Sequence, residues 1–118
     1  LVNAEGKTTE KGTWGVNSPW CDYYGKHHGV TEGIAIFDNP KNRWFPSKWF
    51  TRDYGFFSPT PMNWLKDGKL QLPKGKKLKL HYRVVVHTGD TQKARIEEMF
   101  KLYKLASDLS RNKPKNTY

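Results

Sequence analysis

Across residues 77–87 apolar and polar positions alternate with a period of two. Leu78, Leu80, Tyr82, Val84 and Val86 fall on one face of an extended chain, and Lys79, His81, Arg83, Val85 and His87 on the other. This is the strongest strand signal in the chain, and Gly89-Asp90 stops it. A second strand is predicted at residues 30–38, a β-branched and apolar run bounded by turn residues. Ile34, Ile36 and Asp38 point one way and Ala35 and Phe37 the other, so this strand is expected at the centre of a sheet, covered on both faces. Beyond Asp90 the period changes. Ile96, Met99, Phe100, Tyr103 and Ala106 recur at helical spacing, and Leu102, Leu105 and Leu109 widen the stripe. A helix is predicted over 91–109, with Asp90 or Thr91 as its cap.

The remaining segments are short and punctuated. Residues 1–13 read as an entering loop with a short strand at 1–4, and 14–24 as an irregular, aromatic strand-like stretch. Residues 25–29 form a turn carrying His27 and His28 at its tip. Asn39-Pro40-Lys41-Asn42 is a turn signal. From Arg43 to Trp64 eight aromatic residues are broken by Pro46, Gly55, Pro59 and Pro61, a density of breakers that forbids a long helix. Short strands near 48–57 and an ordered loop near 58–65 are expected there, followed by turns at 66–69 and 73–76. Many strands, many turns and one terminal helix predict a mostly β protein. The architecture expected is an antiparallel β-sandwich, or part of a larger one, with a C-terminal α-helix. The sandwich portion is assigned to 1–90, the helix to 91–109 and a flexible basic tail to 110–118.

Composition excludes some functions and leaves others open. The longest apolar runs, Ile34–Phe37 and Val84–Val86, are far short of the roughly 20 residues that span a bilayer, so no membrane insertion is expected. The single cysteine, Cys21, excludes an intrachain disulfide framework and CxxC chemistry. Formal charge is +10 in 118 residues, unevenly placed: residues 1–59 hold seven Lys or Arg against six Asp or Glu, and residues 60–118 hold fourteen against five. Such asymmetry marks either a polyanion footprint or a solvated basic surface. No nucleic-acid motif organises the lysines, and no specific nucleic acid is expected as a partner.

Four motifs in order carry a family resemblance: Ser18-Pro19-Trp20-Cys21-Asp22-Tyr23, Gly33-Ile34-Ala35-Ile36-Phe37-Asp38-Asn39-Pro40, Trp49-Phe50-Thr51-Arg52-Asp53-Tyr54-Gly55 and Tyr82-Arg83-Val84-Val85-Val86-His87-Thr88-Gly89. Together, over roughly residues 11–90, they resemble the C-terminal part of the bacterial family named PmoA, "methane oxygenase" by name only. That family is similar to large carbohydrate-active β-sandwiches of the galactose-mutarotase type. The resemblance implies a piece of a longer sandwich, a sugar-related role and an extracytoplasmic bacterial location. Where the family usually reads Asp-His-Pro this chain has Asp38-Asn39-Pro40, so a histidine that would serve as base or ligand in that loop is absent.

Candidate site residues follow from chemistry and from the motifs. Sugars present apolar C–H faces edged by hydroxyls, so a sugar site pairs an aromatic platform with charged or amide groups. Trp20, Trp44, Trp49 and Trp64 lie beside Asp22, Arg43, Arg52 and Asn63; the alternative for each tryptophan is the sandwich core. Trp44 and Trp64, in proline-rich loops, are better cleft candidates than Trp49. His87 ends the best-defined strand, where with a carboxylate from Asp22, Asp53 or Asp90 it would act as general acid or base; the alternative is a polar stripe on an edge strand. Trp20, Asp22, Arg52, Tyr54 and His87 are expected to gather in one site, with His87 and Asp22 catalytic and Trp20, Arg52, Tyr54, Trp44 and Trp64 binding substrate. No spacing of His or Cys places a metal, and no cofactor follows from the sequence. The leading expectation is a protein that binds a saccharide or sugar acid. The alternatives are a module that completes a sandwich with a partner chain or by self-association, and a polyanion-binding module.

Overall fold

The computed structural model describes residues 1–111. Six strands are present: β1 Val2–Asn3, β2 Trp20–His27, β3 Val30–Asp38, β4 Trp49–Arg52, β5 Phe56–Pro59 and β6 Tyr82–Thr88. Two α-helices, α1 Thr9–Thr13 and α2 Ile96–Arg111, and a 3-10 turn at Pro61–Trp64 complete the fold. The strands form an antiparallel four-stranded sheet in the order β1-β2-β3-β6 and a separate β4-β5 hairpin. The protein is mostly β with one long C-terminal helix, as the periodicity predicts.

The β2–β3 hairpin is the backbone of the molecule. Its two-residue turn places His28 and Gly29 at φ of 48° and 79°, the paired left-handed conformation that matches the twist of the flanking strands. Trp20 pairs with Phe37 and His27 with Val30, so both strands run their full length in register. Gly33 could be no other residue without a shift of the chain, because a Cβ there would lie 2.6 Å from the Tyr23 carbonyl oxygen and 2.7 Å from Tyr24 Cβ.

One face of the sheet receives α2. Trp20, Ala35 and Phe37 pack against Ile96, Phe100 and Tyr103, with Phe37 meeting Phe100 edge-on at 5.5 Å between ring centroids. Asn39 secures the helix: its Nδ2 donates to Tyr103 Oη and its Oδ1 accepts from Ser107 Oγ. The other face is covered only at the β2 side, where Phe57 of the hairpin stacks on Tyr23 and on the fully buried Trp49. Trp49 Nε1 donates to the Ser18 carbonyl oxygen at 2.7 Å, and Thr13 of α1 shares a 2.9 Å hydroxyl contact with Thr51 of β4. Toward β6 the same face is open, with Ile34, Val84 and Val86 exposed. The expected cover on both faces of β3 is therefore present on one face and on half of the other.

Other boundaries differ from the sequence reading. The strand expected over 77–87 pairs only from Tyr82, because β3 ends at Asp38 directly opposite. His81 is held by Asn39 and Asn42 of the loop after β3, and residues 77–80 have no partner strand among the described residues. The helix expected from 91 begins at Ile96. Asp90 Oδ1 does accept from the Lys93 amide, closing a turn, but Arg95 then takes a φ of 55° and separates that turn from α2. At its far end the helix continues to Arg111; the rest of the tail expected at 110–118 lies outside the described residues. Short helix α1 stands where a loop was expected, and the aromatic stretch 14–24 becomes regular only at Trp20.

A buried carboxylate shapes the loop after β3. Asp38 Oδ1 accepts from Asn42 Nδ2 at 2.7 Å and Oδ2 from the Ser47 amide at 2.9 Å, while Asn42 also exchanges hydrogen bonds with the His81 backbone. Burial raises the Asp38 carboxyl above its ordinary 3.8, and the two hydrogen bonds oppose that rise. The folded protein thus holds this proton more tightly than the unfolded chain. The stability Asp38 adds is complete below 3.8 and is lost as pH rises through the raised value. Asp38→Asn does not titrate, so the stability of the natural protein relative to this variant should fall between about pH 3 and pH 6 in urea melts. A difference that grows over that range would contradict the assignment.

Candidate functional site

Two separate groupings of the expected site residues occur. The first is built across β3. Asp22 on β2 and His87 on β6 flank Ala35 and Gly33 of the strand between them, and these two small residues leave room for the side chains to meet. His87 Nε2 lies 2.6 Å from Asp22 Oδ1, and Thr91 Oγ1 donates to Asp22 Oδ2 at 2.6 Å. Asp22 is fully buried and the His87 ring is 5% exposed. The second ring nitrogen, Nδ1, is buried as well and has no hydrogen-bond partner among the described residues. The trio ties the loop leading into α2 onto the sheet. A general base needs its free nitrogen within reach of a substrate proton, and in this conformation His87 offers none.

The second grouping is an aromatic groove of about 260 Å³ between the loop after β3 and the 3-10 turn. Trp44 and Trp64 line it together with Asn17, Phe45, Pro46 and Lys48. Both tryptophans are half-buried. Trp64 is fixed by an edge contact with Trp14 at 4.9 Å and by donation from Nε1 to Thr60 Oγ1. Gly15 gives it room, since a Cβ there would approach the ring to 3.3 Å. Cations border both rings: Arg43 lies over Trp44 at 4.9 Å and Lys48 Nζ over Trp64 at 5.9 Å. No carboxylate lines this groove.

A family model matches residues 1–101, the whole sheet, the hairpin, and the start of α2. The chain belongs to DUF6807, a family of unknown function. No curated protein and no solved structure matches it. Within this DUF6807 chain the five residues expected in one site are divided by the sheet. Trp20, Asp22 and His87 share the face under α2. Arg52 and Tyr54 belong to the hairpin on the other face, where Tyr23, which neighbours Asp22 and so points the opposite way, donates its hydroxyl to the Asp53 carbonyl oxygen. Arg52 bridges to Glu10 at 3.6 Å and lies over Phe50, and Tyr54 is 83% exposed at the hairpin tip. Trp20 is a core residue whose Nε1 donates to Glu97 Oε2 at 2.9 Å.

A larger cleft, about 620 Å³, lies beside that tryptophan and includes Asp90, Glu97 and Glu98 in its walls. Its only large aromatic ring besides Tyr24 is the buried Trp20, which leaves little stacking surface. Among the described residues no group of three or more His, Cys, Asp or Glu is arranged to hold a metal ion. Cys21 is buried, and desolvation pushes its thiol well above the ordinary range, so it is no nucleophile at neutral pH. Also among the described residues, no helix is long and apolar enough to cross a membrane. Thr91 and Lys48 were not singled out by the sequence. Thr91 had a signal, as a candidate helix cap, but its partner is Asp22 rather than the helix. Lys48 had none, being one lysine among many.

Proposed function

We propose that this protein binds a saccharide bearing an acidic group, in the groove between Trp44 and Trp64. The observation that carries the reading is the meeting of two half-buried tryptophans, twenty residues apart in sequence, in one groove that Lys48 lines, with Arg43 over the Trp44 ring. Pyranose rings stack their C–H faces on indole, and a carboxylate on the sugar would answer the two cations. The resemblance to the PmoA-type family, with its sugar-processing company, supports the same substrate class. The reading is one of binding: the Asp22–His87 pair stands apart from the groove and is enclosed.

Trp44→Ala and Trp64→Ala should each weaken binding of a glucuronate-containing oligosaccharide by about ten- to thirtyfold, the loss of about 1–2 kcal/mol of stacking. Lys48→Ala should weaken the acidic oligosaccharide and leave its neutral counterpart unchanged. Isothermal titration with both sugars makes the comparison. Absence of binding to either, or binding indifferent to both tryptophans, would overturn the proposal.

A further inference from the structure

Strand β6 is the rim of the four-stranded sheet, paired with β3 on one side and, among the described residues, with nothing on the other. Its free edge is apolar above and below. On one face Val84 and Val86 are 61% and 78% exposed, beside an exposed Ile34 on β3. On the other, Met99 and Leu102 of α2 lie beside Val85, and Leu102 is 67% exposed. Natural sheets commonly guard such a rim with inward charge, proline or a bulge. The charge on β6, Arg83, instead lies over the Tyr103 ring at 4.6 Å.

Two further observations say what would cover the edge. The alternation of a strand begins at Lys77, yet β3 ends opposite Tyr82. Asn39 and Asn42 hold His81 to the loop after β3, and residues 77–80 have no partner strand among the described residues. The strand pattern therefore overruns its partner, and only a neighbour on the free side could use it. Between Asp67 and Asp90 the chain also carries Lys69, Lys74, Lys76, Lys77, Lys79 and Arg83 and no carboxylate. All six are exposed, and none forms an ion pair among the described residues.

We propose that the free edge of β6, extended through residues 77–81, receives a strand from another protein in which apolar residues alternate with aspartate or glutamate. Main-chain hydrogen bonds along the rim supply the register, Ile34, Val84 and Val86 take the apolar side chains, and Lys77, Lys79 and Arg83 meet the acidic ones. A second copy of this chain fits less well, since pairing β6 with itself sets the same cations against one another. A nucleic acid would answer the lysines and leave the valines in water.

The test uses the full chain and three probes: a capped peptide alternating valine and glutamate, one alternating valine and lysine, and heparin. Amide hydrogen exchange is followed by NMR. The valine–glutamate peptide should slow exchange along β6 and create protection in 77–80. Val84→Asp with Val86→Asp, both at exposed positions, should weaken that peptide at least about tenfold. Lys77→Glu with Lys79→Glu lies in the unpaired segment and leaves β6 intact; it should weaken the valine–glutamate peptide and strengthen the valine–lysine one. Unchanged exchange at β6 would overturn the proposal. So would heparin binding that ignores the valine changes with no peptide protection, or self-association that protects β6 without any peptide.

Discussion

Asp22→Ala is expected to destabilise the protein by about 3–5 kcal/mol, the range for breaking a buried hydrogen-bonded pair by removing one partner. The carboxylate is fully buried and holds two donors, His87 Nε2 and Thr91 Oγ1, each at 2.6 Å. Without it the His87 ring loses its one protein partner, because Nδ1 already has none. The consequence also spreads in space: Thr91 begins the turn that delivers Ile96 and Phe100 to the core, so losing its anchor loosens the seating of α2. Asp22→Asn keeps an acceptor for the ring and an amide for the threonine hydroxyl, and should cost about 1 kcal/mol, near the mean for a single hydrogen bond. Thermal melts of both variants make the check. For a domain near this size each kcal/mol shifts Tm by about 4–8 °C, so the two substitutions are readily separated. Equal and small shifts for both would mean that the pair is not what holds the loop.

Trp49→Ala is expected to cost as much, about 3–5 kcal/mol, through a different mechanism. Trp49 is completely buried between the hairpin and the segment before β2, and its indole nitrogen donates to the Ser18 carbonyl oxygen. Alanine removes the ring from against Phe57, leaves a cavity, and strands that buried carbonyl. Ser18 in turn serves the Ala4 amide through its hydroxyl and the Ser47 carbonyl through its own amide, so the loss reaches β1 and the loop below Asp38. Trp49→Phe fills most of the space without the donor and should recover about half of the loss. Urea denaturation of the three proteins gives the comparison. An alanine variant within about 1 kcal/mol of the natural protein would show that the hairpin contributes little to the fold.

The tryptophans illustrate how far composition reaches toward function. Trp44, Trp49 and Trp64 are chemically alike and lie within one aromatic stretch. Proline-rich surroundings separated them correctly into loop and strand, because proline keeps backbone out of regular ladders and so leaves neighbouring rings near the surface. That Trp44 and Trp64 share one groove could not be read, since it depends on how the loop after β3 folds over the 3-10 turn. The Asp22–His87 contact was legible in part: His87 sits in the strongest predicted strand and Asp22 in a stretch read only as irregular and strand-like, and their side chains fall on a shared face once both strands pair with β3. Its burial was not, because that comes from Thr91 and α2 closing over it.

Period-two and period-3.6 patterns by themselves determined β3 to the residue, the existence of β6 and α2, and the mostly β class, because side-chain direction in a strand or helix is a local property of the backbone. The turn expected over 25–29 is narrower in the structure: strand pairing runs on to His27, and only His28-Gly29, in paired left-handed geometry, makes the β2–β3 connection. Only tertiary structure decided where those elements stop and which faces meet. A strand ends where its partner ends, so Asp38, and nothing in residues 77–81, sets the start of β6. A helix starts where its cap and its docking agree, so Arg95 and the burial of Ile96 move α2 away from Thr91. Arg52 and Tyr54 parted from Asp22 and His87 for the same reason: sequence order places them on neighbouring strands, while the two faces of a sheet are chosen only when the hairpin packs.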